Sequence, residues 1–251
     1  MKIFFILLLH RGFFNNYLEI YMTKISFIEG AILPIDKPLN WTSFDVVKKI
    51  RYEIINHFNI KKIKVGHAGT LDPLATGLII LCTGKKTKTI NELIIDSKYY
   101  EGEIRLGATT LSFDLETVID QNYLIPDLDK EILKNIEEKF TGEISQLPPL
   151  FSAKRIKGKR AYEYARNNEH IELKPNLISI YELQLKILNK NTLGFSCHCS
   201  KGTYMRSLAR DIGSSLNSGG HLISLRRIKS GKFKIEMAKS IEEWIEIIKA
   251  S

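Results

Sequence analysis

Residues 65–88 read VGHAGTLDPLATGLIILCTGKKTK, and everything else in the chain is best read outward from them. Gly66, Gly69, Gly77 and Gly84 surround one Asp-Pro pair, Asp72-Pro73, and the apolar run 78–82 follows at once. That run predicts a buried strand. Pro73 pushes Asp72 out of helical geometry towards a turn, and the glycines let the backbone bend tightly and a ligand come close. Three readings compete: a phosphate-cradling loop, a structural turn, or the seat of a lone catalytic carboxylate. The phosphate loop fails, because Ile79 stands where its first glycine belongs and Lys86 where its Ser or Thr belongs. A G-x-G-x-x-G fingerprint is missing from the stretch as well. Spacing leaves the other two readings open, since an isolated Leu-Asp-Pro is ordinarily a turn.

Around this stretch the pattern is mixed. Residues 31–38 (AILPIDKP) predict a short strand and turn, followed by a helix capped by Thr42 or Ser43, with Val46, Val47, Ile50, Ile54 and Phe58 on its apolar face. Residues 99–106 alternate, placing Tyr100, Ile104 and Leu106 on one face. Helical spacing returns at 130–140, at 203–216 with Thr203 as N-cap, and in a last helix carrying Ile241, Trp244, Ile245 and Ile248. Strands are expected at 177–187, 195–200, 222–228 and 232–235. Strict β-α alternation is missing, so the expectation is one α+β domain with a large, mainly antiparallel sheet.

The chain has 251 residues, 44% hydrophobic and 26% charged, enough to bury a sizeable core. Its 37 Lys and Arg against 28 Asp and Glu leave a formal charge of +9, a balance suited to a polyanionic partner as well as to an ordinary basic enzyme. Cys82, Cys197 and Cys199 fit no disulfide framework, which points to a reducing, cytoplasmic setting. The run Cys197-His198-Cys199 invites a zinc reading, but strand alternation would turn His198 away from both cysteines. At the start, residues 3–9 are apolar but too few to span a bilayer. Residues 1–21 are therefore read as a dispensable extension, a mis-called start before Met22, and 22–251 as the catalytic domain.

Residues 66–88 resemble the catalytic motif of the bacterial TruB-type tRNA pseudouridine synthases, matching it position after position. Further blocks agree in order: LPIDKPLNWTSFDVVKKIR (33–51), YYEGEIRLGATT (99–110), PPLFSAKRIKGKRAYEYAR (148–166), CSKGTYMRSLARDIG (199–213) and GGHLISLRRIKSG (219–231). The resemblance implies the pseudouridine synthase fold, a mixed sheet flanked by helices with a central RNA-binding cleft. It also implies an enzyme that isomerises uridine to pseudouridine in the T-loop of tRNA, at position 55, on a flipped-out nucleotide. No cofactor or metal is implied, nor any stable protein partner or membrane, and a monomer is expected.

Residue by residue, the resemblance makes Asp72 the essential carboxylate, Arg206 its guanidinium partner and Tyr100 the active-site tyrosine, which stacks on the target base or acts as a base in the ribose proton transfer. Tyr204 and Leu225 line the pocket, and His67 fills the space that the flipped nucleotide leaves. Lys201, Arg155, Lys157 and Arg227 are expected to grip RNA, within basic clusters at 154–166 and 201–229. The chain departs from the family pattern in three places. Leu39-Asn40-Trp41 replaces a glycine-containing turn, Arg155 replaces a lysine, and residues 110–114 read T-L-S-F-D where the family often shows T-D-T-x-D. Many relatives carry a C-terminal RNA-binding PUA domain, which is not expected here. Against the enzyme stand a non-catalytic RNA-binding protein on the same scaffold, a synthase for another RNA, and a membrane-associated protein resting on residues 1–21.

Overall fold

The structure is a computed structural model that describes residues 26–152, 155–156, 158–167, 169 and 171–251; the extension 1–21 lies outside them. In chain order the elements are β1 (Ile32–Lys37), α1 (Ser43–His57), β2 (Val65–His67), β3 (Ala75–Thr83), α2 (Ile90–Ile95), β4 (Lys98–Leu106), β5 (Ala108–Thr110), β6 (Ile119–Asn122), α3 (Lys130–Phe140) and β7 (Gly142–Gln146). Then follow β8 (Arg155–Ile156), β9 (Lys159–Arg160), α4 (Ala161–Arg166), β10 (Asn176–Asn189), β11 (Thr192–Cys199), α5 (Met205–Ser215), β12 (Gly220–Ser230), β13 (Phe233–Lys234) and α6 (Ile241–Lys249).

One sheet dominates, in the order β1-β3-β12-β4-β11-β10-β7, with β2 on β3 and β13 on β12. Its pairings are antiparallel except β12 with β3, where Leu225, Arg226 and Arg227 lie opposite Ala75, Thr76 and Gly77. The mainly antiparallel mixed sheet expected from the sequence is therefore the observed one.

The apolar run expected as a buried strand is β3, covered on both faces. Ile79 and Leu81 join the main core with α1 and α6, while Leu78 and Ile80 pack with Ala68, Phe233 and the apolar side of α2. A strand sandwiched in this way has no solvent side, which is why it reads as a continuous apolar run rather than an alternating one. Elsewhere alternation holds: Tyr100, Ile104 and Leu106 of β4 are buried with Leu193, Phe195, Cys197 and Cys199 of β11 under α5. His198 points the other way and stacks on Tyr99, ring centroids 3.8 Å apart, as the alternation argument required.

Helix starts follow their caps. Thr42 caps α1 and closes a capping box with Asp45, and Ser240 does the same for α6 with Glu243. Helix α5 differs from expectation. Thr203 does not cap it: its hydroxyl donates back to the Ser200 carbonyl, and Tyr204 is the N-cap residue without a side-chain cap. Gln146, buried at the end of β7, supplies the missing partner. Its Oε1 accepts from the Tyr204 N–H at 2.8 Å and its Nε2 donates to the Tyr204 carbonyl at 3.1 Å.

Candidate active site

The turn between β2 and β3 presents Asp72, and four neighbours fix it. The Ser43 hydroxyl, at the start of α1, accepts from the Leu71 N–H at 2.8 Å and donates to the Leu71 carbonyl at 3.0 Å. Asn40 N–H donates to the Pro73 carbonyl, and the Arg227 guanidinium donates to Gly69 O at 3.1 Å. Gly69 itself has φ +95, the left-handed backbone that only glycine adopts at little cost. Lys37, the last residue of β1, is fully buried beneath. Its Nζ donates to the carbonyls of Trp41 at 2.6 Å, Pro38 at 2.9 Å and Pro73 at 3.3 Å. Burial pulls the Lys37 pKa down to about 8, against the opposing pull of the Asp72 charge.

Arg206 enters from the first turn of α5. Its Nε donates to Asp72 Oδ2 at 2.9 Å, Nη1 donates to the Ser112 carbonyl at 3.1 Å, and the Asp114 carboxylate lies 3.6 Å from Nε. Arg206 is 5% exposed and the Asp72 side chain 40%, so the guanidinium is anchored and the carboxylate faces open space. A charge-assisted pair of this geometry orients the carboxylate while leaving its outer oxygen free for chemistry. The carboxylate and the guanidinium that the resemblance names, 134 residues apart in the chain, are thus hydrogen-bonded to each other.

Tyr100 completes the inner wall. It is buried, and burial raises its pKa above the usual 10, so the phenol keeps its proton at neutral pH. Arg227 Nη1 donates to its hydroxyl at 3.5 Å. These groups open on a cavity of about 390 Å³, whose wall also includes Leu71, Lys98, Lys201, Tyr204 and Leu225. That volume falls within the usual range of ligand sites. A larger groove of about 900 Å³, lined by Glu101, Glu103, Lys186 and Arg226, shares Leu225 with it. Buried charges converge only on the smaller cavity, and such convergence marks chemistry better than volume does.

The expected RNA contacts divide between buried braces and surface groups. Arg227 is 1% exposed, with Nε on the Leu78 carbonyl and Nη2 on that of Gly69. It is a brace of the Asp72 turn, not a surface phosphate ligand. Arg226, on the neighbouring position, is forked onto Asp36 of β1 at 3.0 and 2.6 Å. Of the basic cluster at 201–229, Arg206 and Arg227 are buried and Arg226, half-buried, is paired with Asp36, while Lys201 is exposed and Lys229 lies over the Tyr99 ring. His67 lies on β2 opposite Leu81, outside the cavity wall, with its pKa lowered by burial and its Nδ1 buried without a hydrogen-bond partner among the described residues. Arg155 lies in β8, and Lys154 and Lys157 are outside the described residues.

Sequence reading missed two cations here. Lys37 stood in a quoted block without being singled out, although a lysine at a strand end before proline has its backbone carbonyls close at hand. Lys98 gave no signal at all. It is buried beside Tyr100, its Nζ donating to the Ile94 carbonyl at 2.6 Å and to that of Asp96, and burial lowers its pKa.

The fold and the site together define a class. Among solved structures the chain resembles a chain of a Cbf5-Nop10-Gar1 complex, with TM-score 0.66 and 25% identity over 88% of this chain; it spans about half, 54%, of that longer chain. Residues 56–205 match the TruB family pseudouridylate synthase N-terminal domain, and residues 206–249 match the tRNA pseudouridylate synthase B C-terminal domain. A tRNA pseudouridine synthase B from Phocaeicola vulgatus is 50% identical over 225 residues, 88% of this chain and 96% of the relative. Its counterpart from Parabacteroides distasonis is 49% identical over 219 residues, 87% and 93% of the two chains. The chain belongs to the TruB family of pseudouridylate synthases.

Proposed function

We propose that this protein isomerises uridine to pseudouridine in tRNA, at the T-loop uridine, position 55, with Asp72 as the reacting carboxylate. The observation that carries the reading is the Asp72–Arg206 pair at the mouth of the cavity, with Tyr100 as its inner wall. The N1–C1′ glycosidic bond breaks, uracil turns over, and its C5 bonds to C1′ while the C5 proton leaves and N1 takes one up, so that the product is an isomer of the substrate. Asp72 serves either by attacking the sugar at C1′ or by taking the C2′ proton to give a glycal; both routes need one carboxylate oxygen free and the other fixed. The buried, protonated Tyr100 suits stacking on the base better than service as a proton acceptor.

Flipping the uridine from its stack costs a few kcal/mol, which contacts with the rest of the RNA offset. Tyr204, Leu225 and Lys201 border the cavity where those contacts would form. The reading is of a cytoplasmic monomer acting without cofactor or partner protein. Among the described residues no helix is long and apolar enough to cross a membrane. The test is a metal-free assay on a T-arm minihelix, mapping pseudouridine by chemical modification and primer extension. Product at the T-loop uridine, lost in Asp72→Asn with RNA binding retained, is the expected result; undiminished turnover in that variant sinks the mechanism.

A further inference from the structure

The turn that grips Arg206 contains a backbone conformation that its residue disfavours. Phe113 has φ +62, in the left-handed region where a bulky aromatic is an outlier. An outlier of this kind persists only where the surroundings over-determine it, and here they do. Phe113 N–H donates to the Thr110 carbonyl at 3.1 Å, and its own carbonyl accepts from Leu222 N–H of β12 at 2.9 Å. On either side of it stand the two groups that meet Arg206: the Ser112 carbonyl and the Asp114 carboxylate. The left-handed residue reverses the chain between them, so both turn towards one guanidinium.

A second arginine holds the reversal. Arg210 follows Arg206 by four residues and so shares its face of α5. Its guanidinium carbon lies 4.9 Å from the Phe113 ring centroid, a cation–π contact. Arg210 is itself fixed, with Nε on Asp211 Oδ1 at 2.7 Å and Nη2 on the Leu147 carbonyl at 3.2 Å. Helix α5 therefore grips the 110–114 turn twice, through Arg206 on its polar groups and Arg210 on its ring. Phe113 falls on the variable position of the T-D-T-x-D pattern, within the segment where this sequence departs from its family.

We propose that Phe113, clamped by Arg210, is a positioning residue that sets the orientation of Arg206 and, through it, of Asp72. The proposal rests on the functional reading above, and the test separates the two. Enzyme in excess is mixed with a T-arm minihelix; the saturating single-turnover rate, the Kd for the same RNA and the Tm are recorded for each variant. Phe113→Leu, which keeps apolar volume but loses the aromatic face, and Arg210→Gln are each expected to lower the rate about tenfold or more, as small misplacements of reacting groups do. Kd should stay within about twofold, which is the split expected when only reaction geometry is lost.

Phe113→Tyr, keeping the ring, should restore the rate. Phe113→Gly relieves the left-handed backbone but removes the ring, and is expected to be slow as well. Wild-type rates in Phe113→Leu, Phe113→Gly or Arg210→Gln overturn the clamp, as does a loss carried wholly by Kd. Should Phe113→Leu fail to fold, the Arg210→Gln and Phe113→Tyr arms decide alone. An inactive wild type would instead count against the functional reading.

Discussion

Arg206 holds Asp72 and the Ser112 carbonyl in the fixed directions of one planar group, with Asp114 alongside, and a lysine cannot fix those directions. An ammonium is a compact point charge, whereas the guanidinium reaches Asp72 through Nε and Ser112 through Nη1 in a fixed fork. Arg206→Lys should therefore keep RNA affinity while lowering the single-turnover rate by about a hundredfold, the scale of a small misplacement of a reacting group. Filter binding and primer extension on the same preparation read both quantities. Lys37 makes a different prediction at this scale. Its pKa is pulled from the ordinary 10.5 to about 8, so between those values the unfolded chain holds a proton that the folded chain has released. The unfolded state then binds more protons, and this group's contribution makes the fold gain stability as pH rises through the window. Thermal melts of wild type and Lys37→Met, compared between about pH 7.5 and about pH 9.5, should show the difference moving in favour of wild type. No movement would mean that Lys37 titrates near its ordinary value.

The same logic, one level up, concerns what aims α5. Arg206 can be placed only if the helix starts where it does, and that start is held by Gln146 of β7 rather than by a cap residue of its own. Gln146→Leu would leave the Tyr204 N–H without its partner in a half-buried place, at a cost of about 1–3 kcal/mol, while the Tyr204 carbonyl would keep its helix bond from the Leu208 N–H. A fall in Tm together with a fall in turnover is expected. Thr203→Ala, at the residue that the sequence nominates as the cap, should change stability by less than about 0.5 kcal/mol, since no helix N–H depends on it. This pair also shows where sequence reading stops. The helices at 43–57, 130–140 and 241–249 were legible because their own caps and apolar stripes specify them. The start of α5 was not, because its partner is 58 residues away and only the sheet brings it close. Strand β3 was legible for the opposite reason: burial on both faces leaves an apolar run that needs no partner to be seen.

Across the whole molecule, charge separates into two populations that composition lumps together. The formal +9 includes Arg206, Arg226 and Arg227, and the structure engages each of them within the protein: the buried Arg206 and Arg227 on Asp72 and on the carbonyls of Gly69 and Leu78, and the half-buried Arg226 on Asp36. Position in a basic run could not show this, because an arginine that braces a turn and one that grips a phosphate look alike until the acceptors are in place. The Asp72–Arg206 pair was legible for a different reason, since a motif carries its residues by order and type, and the two side chains it names are hydrogen-bonded. Among the described residues, exposed lysines available to RNA include Lys201 at the cavity rim, Lys61 and Lys62 before β2, and Lys88 in the short helical turn after β3. Lysines that meet phosphates release condensed counterions, so affinity should fall steeply with salt while chemistry at saturating enzyme does not. If about six phosphates are engaged, raising salt from about 50 to about 200 mM should weaken tRNA binding about a thousandfold. Arg226→Gln, which removes a charge already paired with Asp36, should leave that slope nearly unchanged, whereas Lys201→Gln should lower it by about one counterion. Titration of fluorescent tRNA at stepped salt measures both slopes, and a shallower slope in Arg226→Gln would show that this arginine leaves Asp36 to meet the RNA.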